Sequence, residues 1–127
     1  MENKKRIIII DDEIEFLNEV EEVLRTCNYK VYCLFDNKNA TQMAKEIKEF
    51  NPDLILLDIF LKNKTGFDIV ESIKMYPELK SIPILMMTGN IDVEKENYKL
   101  IRKYKIKECL LKPIYPPNLL VKIEKYI

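Results

Sequence analysis

The feature that most constrains this chain is a set of short, wholly aliphatic runs, each closed by a polar residue and followed by an amphipathic stretch. Ile7-Ile8-Ile9-Ile10 stops at Asp11-Asp12, and Leu54-Ile55-Leu56-Leu57 stops at Asp58. Further apolar runs are Val31-Tyr32-Cys33-Leu34, Ile82-Pro83-Ile84-Leu85-Met86-Met87 and Cys109-Leu110-Leu111. Apolar runs without alternation read as strands buried on both faces. Pro83 near the start of its run is tolerated, because a missing donor costs little there.

The stretches between these runs carry helical spacing. Ile14, Leu17, Val20, Val23 and Leu24 predict a helix over 13–26, with Asp12 and Glu15 placed as a capping box and Asn28 beyond its end. The cluster Asp36-Asn37-Lys38-Asn39 reads as turn and cap. Ala40, Met43, Ala44, Ile47 and Phe50 predict a second helix, stopped by Asn51-Pro52. After the polar loop Lys62–Gly66, the residues Phe67, Ile69, Val70 and Ile73 predict a third, with Pro77 as its stop. Segment 92–105 is mostly charged and has the weakest stripe, and Pro116-Pro117 opens a last helix. Five strands alternating with five helices predict an α/β fold: a doubly wound parallel sheet, flavodoxin-like in strand order 2-1-3-4-5, with helices on both faces.

Composition removes several functions. The chain has 127 residues, with 21 Lys+Arg against 21 Asp+Glu, so bulk electrostatics give no reason for direct nucleic acid binding. No apolar run is long enough for a membrane span and no signal pattern opens the chain, so a cytoplasmic location with reduced thiols is expected. Three cysteines, Cys27, Cys33 and Cys109, show no metal spacing. The absence of His excludes imidazole chemistry, and two glycines cannot build a glycine-rich phosphate loop.

In a parallel sheet the carboxyl ends of all strands share one edge, where such sheets place their ligands. That edge would hold Asp11, Asp12, Asp58, Thr88 and Lys112. Each has an ordinary explanation alone: Asp12 and Thr88 as helix caps, Lys112 as a solvated lysine, Asp58 as a helix cap or a turn residue. Together they suit other work. Crowded carboxylates repel, and a divalent cation with oxygen preference relieves this, so Mg2+ (or Mn2+) is the expected cofactor. Asp58 would then be a carboxylate nucleophile towards phosphorus, with Thr88, Lys112 and backbone N–H groups stabilising the phosphoryl oxygens.

These residues resemble a known family. Ile7–Glu13, Asp53–Asp58, Gly66, Pro83–Gly89 and Leu110-Leu111-Lys112-Pro113 resemble the receiver domain of two-component response regulators, in size the single-domain chemotaxis type, over essentially all of residues 1–127. The resemblance implies that Asp58 is the phosphoacceptor. It implies that Asp12, Asp58 and the backbone carbonyl of Phe60 hold the metal directly, with Asp11 acting through water. Thr88, Lys112 and the N–H groups of Phe60 and Gly89 would bind the phosphoryl group, and Lys112-Pro113 would be a cis peptide. A histidine kinase or phosphotransfer protein would be the donor. The resemblance implies that an output partner, or a C-terminal effector domain, receives the signal.

The match departs at three positions. Cys109 stands at the switch position, where the family has Tyr or Phe; a small thiol cannot swing as a ring does, and Tyr104 or Tyr115 are the available substitutes. Lys62 stands where Pro is common, which implies a looser loop. Phe60, two after Asp58, overlooks the phosphoryl position and would slow hydrolysis by limiting water. Two other functions fit less of the pattern. A Mg2+-dependent aspartate-nucleophile phosphatase would want an acid where Phe60 stands, and a docking-only pseudo-receiver would not need the full acidic set. As a receiver, the chain would catalyse its own phosphorylation and dephosphorylation without being a turnover enzyme in the usual sense. Its partner-facing surface would include Tyr98 and Tyr104.

Overall fold

The computed structural model describes residues 3–35, 38–90 and 92–127. Asp36 and Asn37 of the expected turn cluster lie outside the described residues. The strands are β1 (Arg6–Ile10), β2 (Lys30–Leu34), β3 (Leu54–Asp58), β4 (Ile84–Thr88) and β5 (Glu108–Leu111). They form one sheet in the order β2-β1-β3-β4-β5. Every pairing is parallel. This is the expected order, and it puts the two acid-tipped strands side by side.

Alternation within each strand divides the core in two. Ile8, Ile10, Ile55, Leu57, Ile84 and Met86 face one side. Ile7, Ile9, Leu54, Leu56, Leu85 and Met87 face the other. The first side is covered by α2 (Ala40–Phe50), α3 (Gly66–Ile73) and α4 (Val93–Glu96), with α5 (Tyr98–Lys103) packed at its margin. The second is covered by α1 (Ile14–Thr26) and α6 (Pro116–Tyr126). Each fully buried Ile or Leu contributes about 1.5–3 kcal/mol, so the three inner strands β1, β3 and β4 dominate the stability.

Local chemistry explains most helix ends. Asn39 and Gln42 form a reciprocal capping box at α2, and Thr65 and Asp68 form another at α3. Asn28 and Asn51 close α1 and α2 with left-handed backbones, φ 70 and 56.

Three expectations are corrected. The N-cap of α1 is Glu13, with no side-chain cap bond, so there is no Asp12–Glu15 box. Asp11 Oδ1 takes the Glu13 N–H instead, at 2.9 Å, as a local Asx turn. The third helix stops at Ile73, before Pro77, which opens a short 3-10 turn (Pro77–Leu79). Segment 92–105 is two helices, not one. Asn97 lies between α4 and α5 with φ -116 and ψ 18, and its side-chain amide donates to the Val93 carbonyl at 2.9 Å. Asn competes for backbone partners in this way, and the sparse apolar stripe leaves little packing to oppose it.

Candidate functional site: an acidic cluster at the strand tips

Parity places the acids. Asp11 continues the series Ile7, Ile9, and Asp58 continues Leu54, Leu56, so both fall on the side covered by α1. Asp11 is 0% exposed and Asp58 8%. Lys112, at the end of β5, reaches both. Its Nζ donates to Asp58 Oδ2 at 3.0 Å, to Asp11 Oδ2 at short range, and to Glu13 Oε1 at 3.3 Å. The same ammonium lies 4.6 Å from the centre of the Phe16 ring, a cation–π contact. The Lys112 N–H donates to the Thr88 carbonyl at 2.7 Å, which ties the lysine's backbone to β4. Lys112-Pro113 is cis.

The electrostatics follow from burial. Desolvation raises the Asp58 pKa above the usual carboxylate value; hydrogen bonding and charge attraction from Lys112 oppose this without cancelling it. Burial pulls the Lys112 pKa down, but its bonds to Asp11 and Asp58 outweigh that and the net shift is upward. The ammonium is therefore the resting counter-charge of the cluster.

The other expected residues are placed as follows. Asp12 Oδ2 accepts the N–H of Lys62 at 2.7 Å. That N–H is the group a proline would lack, so the loop expected to be looser is tied to the β1–α1 turn. The Phe60 N–H donates to Asp58 Oδ1 at 3.0 Å, while the Phe60 ring is 56% exposed. Thr88 is 4% exposed, and its hydroxyl accepts the Asn90 N–H at 3.2 Å, a turn contact and not a helix cap. Gly89 is exposed and lines the cavity over the cluster, of about 460 Å3, together with Glu13, Phe16, Asp58, Phe60, Lys112 and Pro113. Cys109 is half-buried against the α2–α3 side of the core, and burial pushes its thiol up to about 11. Tyr104 packs on that same side, whereas Tyr115 is exposed.

Gly66 has a steric reason for being glycine. A Cβ there would sit 2.6 Å from the Asp58 carbonyl oxygen. The first turn of α3 therefore presses against the tip of β3, helped by the Gly66 N–H bond to the Ile59 carbonyl at 2.7 Å.

Sequence reasoning missed Glu13. Carboxylate oxygens of Asp11, Glu13 and Asp58 lie within 4.8 Å of one another, a set able to hold a metal ion. In the sequence Glu13 looked like the first solvated position of a helix. Only its place after two acids hinted otherwise. The donor set is all oxygen, which suits a hard divalent cation.

The comparisons agree with this geometry. The family model for the response regulator receiver domain matches residues 7–124. The chain belongs to that family. Among solved structures, the chemotaxis protein CheY4 of Vibrio cholerae superposes with a TM-score of 0.86 at 24% identity, over 98% of this chain and 100% of that one. A CheY-like receiver domain protein from Methanospirillum hungatei gives 0.80 at 26% identity, over 97% and 93%. The receiver domain of the sensor histidine kinase PA1611 from Pseudomonas aeruginosa, solved with a magnesium ion in its active site cleft, gives 0.81 at 20% identity, over 98% of each chain. The receiver fold and the acidic cluster are thus established for this chain. No helix among the described residues is long and apolar enough to cross a membrane.

Proposed function

We propose that this receiver accepts a phosphoryl group on Asp58 from a phosphohistidine of a histidine kinase or phosphotransfer protein, and that the change in charge alters partner binding. The observation that carries this reading is the position of Asp58. Its two oxygens are already held by an N–H and an ammonium, the donors that an acyl phosphate needs.

In the transfer, a carboxylate oxygen of Asp58 forms the new P–O bond as the P–N bond to the donor imidazole breaks. The imidazole leaves with the electron pair. Lys112 exchanges its bond to Asp58 for one to the incoming phosphoryl group while keeping Asp11. Thr88 and the N–H groups of Phe60 and Gly89 are the further donors to that group. The gathered oxygens of Asp11, Glu13 and Asp58 would hold the divalent ion; the family resemblance adds Asp12 and the Phe60 carbonyl as direct ligands, with Asp11 acting through water. When bound, Mg2+ would neutralise charge on the transferring oxygens.

Intact mass after incubation with acetyl phosphate and Mg2+ tests the reading. The wild type should gain the mass of one phosphoryl group and Asp58→Ala should gain none. No gain in the wild type would sink it, and multiple turnover of a phosphate ester would favour a phosphatase.

A further inference from the structure

We propose that a lysine-lined trough on the edge of the sheet opposite Asp58 binds an acidic peptide segment of a partner protein. Two cavities of about 320 and 350 Å3 lie there and share Lys74, Lys80 and Lys105 as lining. Lys103 and Tyr104 add to the first, and Ser81, Ile82 and Lys107 to the second. Lys80 precedes β4, and Lys105 and Lys107 precede β5, so the trough opens at the amino-terminal ends of the parallel strands.

The chain is formally neutral, yet these five lysines gather without a carboxylate partner among the described residues, Lys103 lying only over the Tyr104 ring at 5.3 Å. None of them forms an ion pair among the described residues, whereas Lys38, Lys48, Lys112, Lys122 and Lys125 each have a carboxylate partner. Lys74 Nζ finds only a backbone acceptor, the Lys80 carbonyl at 3.3 Å. Burial and the charges of Lys105, Lys107 and Lys80 all lower its pKa. Crowded cations of this kind repel until a multiply charged anion joins them.

The lining selects among anions. The trough is concave, which fits a flat lipid surface badly. Tyr104 is its only aromatic lining residue among the described residues, which gives single-stranded nucleic acid no row of stacking platforms. Ammonium groups act as point charges without the planar fork of arginine, so they accept carboxylates at varied angles. Tyr104 at one end and Ile82 at the other offer apolar contact, which a peptide of mixed acidic and aliphatic residues can use and a bare polyphosphate cannot. The other basic cavity on this edge, lined by Lys4, Lys5, Arg6 and Lys30, includes Asp53, and its charge is partly offset.

Fluorescence anisotropy with a labelled peptide of Glu-Glu-Leu repeats tests the assignment. Binding should weaken with salt and be lost with the Gln-Gln-Leu counterpart. Lys74→Gln/Lys105→Gln should weaken it roughly tenfold, equivalent to about 1.4 kcal/mol. Lys4→Gln/Lys5→Gln should leave it unchanged. If the first pair unfolds the protein, Lys103→Gln/Lys107→Gln, both exposed, replaces it with the same expectation. Equal affinity of wild type and trough variants overturns the proposal. So does tighter binding of oligodeoxythymidine or tripolyphosphate than of the Glu peptide. None of these readings requires phosphorylation of Asp58.

Discussion

At the scale of single residues, Lys112 holds the site together. One ammonium compensates two buried acids on neighbouring strands, so Lys112→Met leaves Asp11 and Asp58 without a counter-charge. The expected loss is about 3 kcal/mol in urea denaturation at pH 7; a change under half of that would mean that water or movement compensates the acids. Gly66→Ala drives a methyl group into the Asp58 carbonyl. It should cost about 1–3 kcal/mol and slow labelling by acetyl phosphate, because relief requires the tip of β3 to move. The exposed Phe60 ring borders the same cavity. Under the phosphoacceptor reading, Phe60→Asn should shorten the life of the phosphorylated form, followed by the decay of intact mass; an unchanged lifetime would remove the ring from that role. The tip acids and Lys112 were legible in the sequence because each closes an apolar run. Glu13 was not, since its position looked like plain helix surface. Nor was the Asp12–Lys62 bond, which joins residues 50 apart through a backbone N–H that no side-chain pattern encodes.

At the scale of elements, strands were easier to read than helix ends. Unbroken aliphatic runs have few places to go, and β3 and β4 are buried along their whole length. Helix limits depend on competition among polar groups, and there the sequence misled. Asp12 looked like a cap but serves a distant loop, and Asn97 looked like helix interior but divides it. The α6–β5 junction makes a test of such polar competition. Glu108 accepts from the Tyr126 hydroxyl and pairs with Lys122 at 2.9 Å and Lys125 at 3.4 Å. The Tyr126 hydroxyl and then Lys122 hold its pKa down at about 2, against an ordinary 4.5. A depressed folded-state value means a contribution that is complete above 4.5 and lost as the pH falls towards 2. Glu108→Gln should therefore unfold at a lower temperature than wild type at pH 7, with the gap narrowing across that acidic window. A gap independent of pH would show that the clamp is not ionic.

At the scale of the molecule, stability is graded from the middle of the sheet outwards. Hydrogen exchange should be slowest in β1, β3 and β4, whose apolar residues are covered on both faces, and fastest in α4 and α5, which have few interior anchors. Comparable protection in both regions would contradict the gradient. The two-layered cover of helices was legible from the alternation of strand and helix patterns, whereas the gathering of lysines at the opposite edge was not, since they come from separate segments of the chain. The division at Asn97 also has a mechanical consequence. A single rigid rod between β4 and β5 would act as a lever and carry a tilt from one end to the other. Two short pieces joined at one residue would act as a knuckle, so a displacement that starts beside Thr88 would be taken up at Asn97. The surface that such a displacement would reshape is that of α4 itself, above the buried Val93, and α5 beyond Asn97 would follow it less.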